Sequence, residues 1–419
     1  MLTAARLGAA ALSAALLTGL AAGPALADSP APTPPAAADG LYGKGDPTYD
    51  GVWRQSLALT ALTAAKVTPA DSAVGWLTGQ QCEDGGWPSY RAAGAACDPR
   101  TEDSNATAVA VQALVALGGH QDAVDKGVAW LKANQNADGS WAYTPGSPGD
   151  ANSTGLAVNA LFAARTDPAG VAKAGKSAFD GLALFQLGCA APADQRGAFV
   201  YQPDPASGAL TPNALASGQA ALAAGGGHLP VATSVRSDAA PKALTCASDA
   251  AAATPAPVAH ADSGEAVGAY LTAQLAAGGN HLSLTTPGAA PTPDYTATAW
   301  AALALTQSGH PQQAAGAVDW LSQEGDTWTK GGTDAGATAT LLLVDQAAQR
   351  DTAALTGRLI ALGPTPKATA TAATASATQA PKEKKDGGIG QYWLIGVGLL
   401  IGVGGGLLLS LQRKRNQHL

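Results

Sequence analysis

Residues 126–141, KGVAWLKANQNADGSW, constrain this chain more than any other stretch. Val128, Trp130 and Leu131 lie at helical spacing, and Ala129 and Ala133 favour helix. The breaker-rich run Asn134 to Gly139 ends that helix, and Asp138-Gly139 suits a turn with positive φ. Gln135 both donates and accepts, so it can bridge loop carbonyls and amides that lost their helical partners. Trp141 can then fold back onto the next helix. A second copy is Trp76, Leu77, Gln81, Gly85 and Trp87, and weaker echoes are Leu182, Gln186, Gly197, Phe199 and Gly316, Trp320, Leu321, Trp328. A unit that recurs in this way buries its apolar face only against its neighbours, so the chain must stack helical hairpins.

Two kinds of helix alternate. The first carries the Gln-Gly-Trp end, over roughly 70–80, 122–134, 170–187, 263–277 and 312–323. The second follows an Asn or Asp: Asn105-ATAVAVQAL, Asn152-STGLAVNAL, Asn213-ALASGQAAL, Asp294-YTATAWAAL, Asp334-AGATATLLL and Asp50-GVWRQSLAL. Residues 227–262, rich in Ala and Pro, read as a long inserted loop; without them the period returns to about 50 residues. The first helix of the second kind, 51–66, and the last helix, 350–362, lack partners. If these two pack together, six hairpins close into a ring without special capping repeats; an open solenoid fits the periodicity too.

The Gln-Gly-Trp pattern resembles the QW motif of the terpenoid cyclase and protein prenyltransferase superfamily. Lys126, Gly127, Trp130, Leu131, Gln135, Gly139 and Trp141 all fall on it. The resemblance implies an all-α, six-hairpin α/α toroid over residues 45–363. It makes the Asn/Asp column the N-termini of an inner helix layer, ringing one mouth of a cavity. Asn and Asp are also preferred N-caps, so capping alone explains the column. If amides remain free there, they and the macrodipole favour polar or anionic ligand groups.

The catalytic branches of that superfamily have signatures this chain lacks. There is no DxDD for protonating an isoprenoid; Glu102-Asp103 is the nearest acidic pair. No Asp-x-Cys site for zinc occurs, the six histidines are scattered, and no metal is expected. Gly188-Cys189 continues Ala-Ala-Pro, so a thioester is excluded. The carrier use of the toroid, as in cobalamin-binding proteins, is left. It implies contacts from Asp103, Asn105, Thr107, Asn152, Thr154, Asn213, Asp294, Tyr295 and Asp334 at the mouth, with Trp141, Tyr143 and Tyr201 stacking on a flat ligand. No strand-rich second domain of the kind those carriers add is visible.

Both ends carry targeting signals. Met1 to Ala27 reads as a signal peptide, with Arg6, the apolar Leu7 to Leu20 and the small-x-small Ala25-Leu26-Ala27. Residues 28–44 form a disordered Pro/Ala lead and 364–390 a Pro/Thr/Ala/Lys stalk. Residues 391–411 are long and apolar enough to be a transmembrane helix, with Gly398, Gly402 and Gly406 at GxxxG spacing. Arg413, Lys414 and Arg415 make 412–419 a cytoplasmic tail. Export permits disulfides. Cys82 and Cys97 flank one loop and are paired on that ground, which leaves Cys189 for Cys246; free buried thiols are the alternative.

The formal net charge of −7 offers no basic footprint for nucleic acid. The expected function is therefore a surface-anchored binding protein for an amphipathic small molecule, cobalamin-like, with no cofactor of its own and a membrane transporter as partner. An exported isoprenoid cyclase or prenyltransferase-type enzyme is one alternative. A non-catalytic structural or adhesive surface module is the other.

Overall fold

The computed structural model describes residues 39–232, 236–247, 256–285 and 288–368. Among them, twelve α-helices form two alternating sets. The amphipathic outer set is α2 (Asp71–Gln80), α4 (Gln121–Ala133), α6 (Ala178–Ala183), α8 (His260–Ala277), α10 (Pro311–Trp328) and α12 (Ala353–Ala361). The inner set is α1 (Gly51–Ala64), α3 (Ser104–Leu117), α5 (Ala151–Ala163), α7 (Ala214–Ala224), α9 (Tyr295–Gln307) and α11 (Ala335–Ala347). Inner helices pack on one another in that order, and α11 returns to α1, so the ring closes. This is the all-α toroid that the resemblance implies.

The inner helices are largely apolar and small-chained, as elements buried on most sides are, apart from buried polar residues such as Arg54, Gln55, Gln112 and Asn159. Small residues set the helix spacing. A Cβ on Gly155 would sit 3.0 Å from the Ala220 Cα, and one on Gly218 3.0 Å from the Ala297 carbonyl oxygen.

The Gln-Gly-Trp unit recurs atom for atom. Trp87 and Trp141 are fully buried, and their indole N–H groups donate to Leu77 O (2.9 Å) and Leu131 O (2.8 Å). The glutamines bridge as their chemistry suggests. Gln81 donates to Gly85 O and Ala123 O, Gln135 to Gly139 O and Val171 O, and Gln186 to Gly197 O and Ser263 O. Gly85, Gly139 and Gly197 have φ of +105°, +90° and +88°. Each lies so close to a carbonyl of the next outer helix unit (Lys126, Ser177 and Ala266) that a Cβ would collide with it.

The fourth echo does not form this turn. Gly316, Trp320, Leu321 and Trp328 all lie within α10, which continues through Gly325 to Trp328. The helix expected over 170–187 is likewise shorter. Ala172–Lys173 (β1) and Lys176–Ser177 (β2) pair antiparallel, and Ser177 then starts α6 with a capping box to Asp180. A second small antiparallel pair joins Leu282–Leu284 (β3) to Thr292–Asp294 (β4).

At the seam, α12 packs on α11 and also touches α1, while Gly43 N donates to Leu362 O at 2.9 Å. Closure thus involves three helices and the segment before α1. Gly40-Leu41-Tyr42 repeats the Gly-x-aromatic turn, with Gly40 at φ +105° and Tyr42 fully buried.

Both disulfides are formed as expected, Cys82–Cys97 and Cys189–Cys246, and no cysteine is free among the described residues. Of the inserted loop, residues 227–232, 236–247 and 256–259 are described. The signal peptide, most of the N-terminal lead, nearly all of the stalk, the apolar run 391–411 and the tail lie outside the described residues. No described helix is long and apolar enough to cross a membrane.

Candidate ligand-binding mouth

Six N-caps define one end of the ring: Asp50, Asp103, Asp150, Asn213, Asp294 and Asp334. Two of these correct the sequence expectation. Asn105 and Asn152 are the second residues of α3 and α5, not their caps; Asp103 and Asp150 take that place. Asp and Asn side chains are equally long, and it is the earlier position that lets the carboxylate reach the third helical amide, as a cap does. Asp103 accepts from Ala106 N at 2.6 Å, Asp150 from Ser153 N at 2.7 Å, Asn213 from Ala216 N, Asp294 from Ala297 N and Asp334 from Ala337 N. The overlooked signal was a hydroxyl four residues after every cap but Asp50: Thr107, Thr154, Ser217, Thr298 and Thr338.

Four of those hydroxyls bind the preceding loop rather than a mouth ligand. Thr107 accepts from Trp87 N, Thr154 from Trp141 N, Ser217 from Phe199 N and Thr298 from Leu282 N, at 2.9–3.0 Å. Thr107 and Thr154 have no exposed surface, and neither has Trp141. A stacking role for Trp141 and ligand contacts from the two threonines are therefore ruled out by burial. Tyr295 is also spent elsewhere: its ring lies 4.8 Å from Trp320 and 6.0 Å from Trp328, between centroids.

The first-turn amides are largely used as well. Val52 N donates to Ser89 O, Ser104 N to Tyr143 O and Ala151 N to Tyr201 O. With carboxylates at five of six caps, the helix dipoles are already offset. The mouth is acidic, and the expected preference for anionic ligand groups does not follow from it.

Two expected residues do form an exposed rim. Tyr143 and Tyr201 are each 46% exposed, and their carbonyls sit over the starts of α3 and α5. Below them lie buried carboxyls. Asp103 accepts from Ser89 Oγ at 2.9 Å, and that hydroxyl is 2.9 Å from the Tyr143 hydroxyl. Burial pushes the Asp103 carboxyl up to about 6, against the pull of its hydrogen bonds. Burial also raises Asp150. Both rim phenols are raised, by burial first and then by the charge of Asp103 under Tyr143 and of Asp150 near Tyr201. The neighbouring Glu102 is buried and is pushed up to about 7 by burial and by the Asp84 charge. Its Oε2 accepts from Trp130 Nε1 at 2.7 Å. The cluster of Cys82, Cys97 and Glu102 is not a metal site, since its two sulfurs form a disulfide.

Amides line the way inward. Asn152 donates to Gln219 Oε1 at 2.5 Å, while Oδ1 of both Asn105 and Asn152 is buried without a partner. Seven residues further along α5, and so on the same face, Asn159 is fully buried with neither amide atom paired. At the same depth on α3, Gln112 accepts from Leu229 N at 2.9 Å, so the inserted loop crosses the far end of the ring. Trp53 and Trp300 meet at 6.4 Å between centroids, from inner helices that are not ring neighbours.

The Squalene-hopene cyclase C-terminal domain family model matches residues 40–156, which hold the first two Gln-Gly-Trp units and the caps Asp50, Asp103 and Asp150. The squalene–hopene cyclase of Zymomonas mobilis is 38% identical over 101 residues, 22% of this chain. The alignment spans 15% of that cyclase's length. Among solved structures, a protein from Actinoplanes covers 75% of this chain and 95% of its own, at 15% identity and a TM-score of 0.43.

Proposed function

The chain belongs to the terpenoid cyclase and protein prenyltransferase superfamily, and from that premise we propose that it is a binding toroid whose mouth captures an amphipathic small molecule. The observation that carries this reading is the pair of exposed phenols, Tyr143 and Tyr201, set over buried carboxyls. Aromatic faces supply apolar contact at low entropic cost, and their hydroxyls supply a polar edge. The acidic caps favour a neutral or cationic ligand over a diphosphate. The unpaired side-chain carbonyl oxygens of Asn105 and Asn152 suit a ligand that donates from amides or hydroxyls. A flat, amide-decorated corrinoid has those properties and is the first ligand to test. The same reading places the toroid outside the cell, anchored through residues 391–411, where bound ligand passes to a transporter. Protease accessibility on intact cells tests that placement.

The binding test uses the full-length chain in mild detergent, titrated with cobalamin, cobinamide and farnesol while thermal stability is followed. A ligand at a hundredfold over its dissociation constant adds about 2.7 kcal/mol. A corrinoid shift that disappears in Tyr143→Ala plus Tyr201→Ala is the expected result. No shift with either corrinoid, or one unchanged by the double substitution, sinks the corrinoid reading.

A second reading, acid-initiated isoprenoid chemistry, draws on Glu102 and Asp103, carboxyls that burial keeps protonated at higher pH than usual. Against it, Glu102 is tied to Trp130, and Trp53 meets Trp300 inside the ring. Product formation from squalene or farnesol that is lost in Asp103→Asn would favour this reading over capture.

A further inference from the structure

A cavity of about 620 Å³ lies outside the ring, against α6 and the loops that follow it. Its volume falls in the range of small-molecule sites. Leu184, Leu187, Ala191, Pro192, Leu210 and Pro257 form its apolar wall. Leu184 and Leu210 are 49% and 45% exposed, among the most exposed large apolar side chains in the described chain. They come from segments on either side of the Phe199 loop, so the fold gathers them.

The polar groups at this cavity are unequal. Asp138 is spent on Ser140, accepting from both its amide and its hydroxyl. Asp180 is spent on Ser177 in the α6 capping box, and those bonds lower its carboxyl below the ordinary range. Gln186 bridges Gly197 and Ser263. Lys176 and Gln195 also line the cavity, and among the described residues neither side chain makes a hydrogen bond. Lys176 feels Asp180 only through its charge. An uncommitted ammonium beside an apolar wall suits an apolar tail with an anionic head.

The wall is also held in shape. Cys189, between the lining residues Gly188 and Ala190, is bonded to Cys246 of the inserted loop. Gly188 allows that loop to approach closely: a Cβ there would stand 2.7 Å from the Ala256 carbonyl oxygen. A rigid wall lowers the ordering cost of binding.

We propose that this cavity is a second binding site, for a single-chain amphiphile with a carboxylate head such as a fatty acid, its head on Lys176 and Gln195 and its tail along Leu184, Leu187 and Leu210. It is separate from the tyrosine rim and does not depend on what binds there.

The test photo-crosslinks the full-length chain with a diazirine-bearing fatty acid and maps the labelled peptides by mass spectrometry. Label is expected within 183–192 and around Leu210. Leu184→Asp plus Leu210→Asp changes exposed side chains and should lower labelling there at least about tenfold. Lys176→Gln should weaken labelling by the acid about fivefold and leave the matching fatty alcohol unchanged. Competition by unlabelled fatty acid, but not by a corrinoid, is also expected. Label confined to other peptides, or labelling indifferent to both sets of substitutions, overturns the proposal. So does equal loss of acid and alcohol in Lys176→Gln.

Discussion

The first and second tryptophan-bearing turns meet the same demands with exchanged residues. In the first, Gly86 precedes the tryptophan and Glu102 precedes the capping aspartate; in the second, Ser140 and Gly149 hold those places. A Cβ on Gly86 would collide with Glu102 Oε2 and Trp130 Nε1, and a Cβ on Gly149 would collide with Ser140 Oγ. One side of the contact must be glycine, and the two turns chose opposite sides. Trp87, Trp141, their indole bonds and the Thr107 and Thr154 anchors are otherwise the same. Backbone demands are thus fixed by the fold, while the residue that meets them is free to move within a contacting pair.

The seam extends the comparison. It has the Gly40-Leu41-Tyr42 turn but no preceding glutamine in the chain. Gln55 of α1 supplies the bonds from behind, donating to Gly40 O and Ala73 O and accepting from Tyr42 N. It does the work of both Gln135 and Thr154.

The largest expected effect tests the equivalence of the turns. Trp87→Ala and Trp141→Ala should each cost about 3–5 kcal/mol in denaturant unfolding. A cost under 1 kcal/mol in one turn alone would end the claim that the two are equivalent. Next, Gln55→Ala strips three buried partners and should cost about 3 kcal/mol, against about 2 for Gln135→Ala, which strips two. The reverse order would show that the seam tolerates loosening.

The exchange itself is tested by Gly149→Ala, which overpacks against Ser140 and should cost about 1–3 kcal/mol. Adding Ser140→Gly should recover most of that loss. Gly86→Ala should be recovered less well by Glu102→Gly, because Trp130 still obstructs the Cβ. Additive losses in both double variants would mean that the pairs do not exchange.

The smallest effect is a pH slope to which the first turn, with Glu102 and Asp103, contributes most. The folded-state Glu102 carboxyl titrates near 7, above its unfolded value of about 4.3. The folded state therefore binds more protons between those values, and stability falls as pH rises through that window. Asp103, raised to about 6, adds to the fall at the lower end. Thermal midpoints between pH 4 and 8 should decline, and Glu102→Gln should flatten the decline. A wild-type curve that rises across this range would contradict the assignment.

How much of the mouth was legible can be read at single residues. Asn213, Asp294 and Asp334 stood out as helix starts, and they are caps. Asp103 and Asp150 were masked by Asn105 and Asn152 two places later, because a cap is marked by reach to a backbone amide and not by residue type alone. The cavity beside Leu184 was invisible, since Leu210 and Pro257 are distant from it in the chain.

The sequence by itself determined the repeating helical hairpin, its glutamine bridge and its glycine turn, because helical periodicity, breakers and caps act over a few residues; closure into a ring rests on α11 packing against α1. The sequence also suggested the Cys82–Cys97 pair, whose members flank one loop, and left Cys189 and Cys246 as the remainder. Tertiary structure alone decided that Trp141, Thr107, Thr154 and Tyr295 are packing elements while Tyr143 and Tyr201 face solvent. It likewise decided that Gln55 completes the seam and that Lys176 stands uncommitted beside an apolar wall. Burial and partner choice depend on neighbours brought from far along the chain, and no local pattern encodes them.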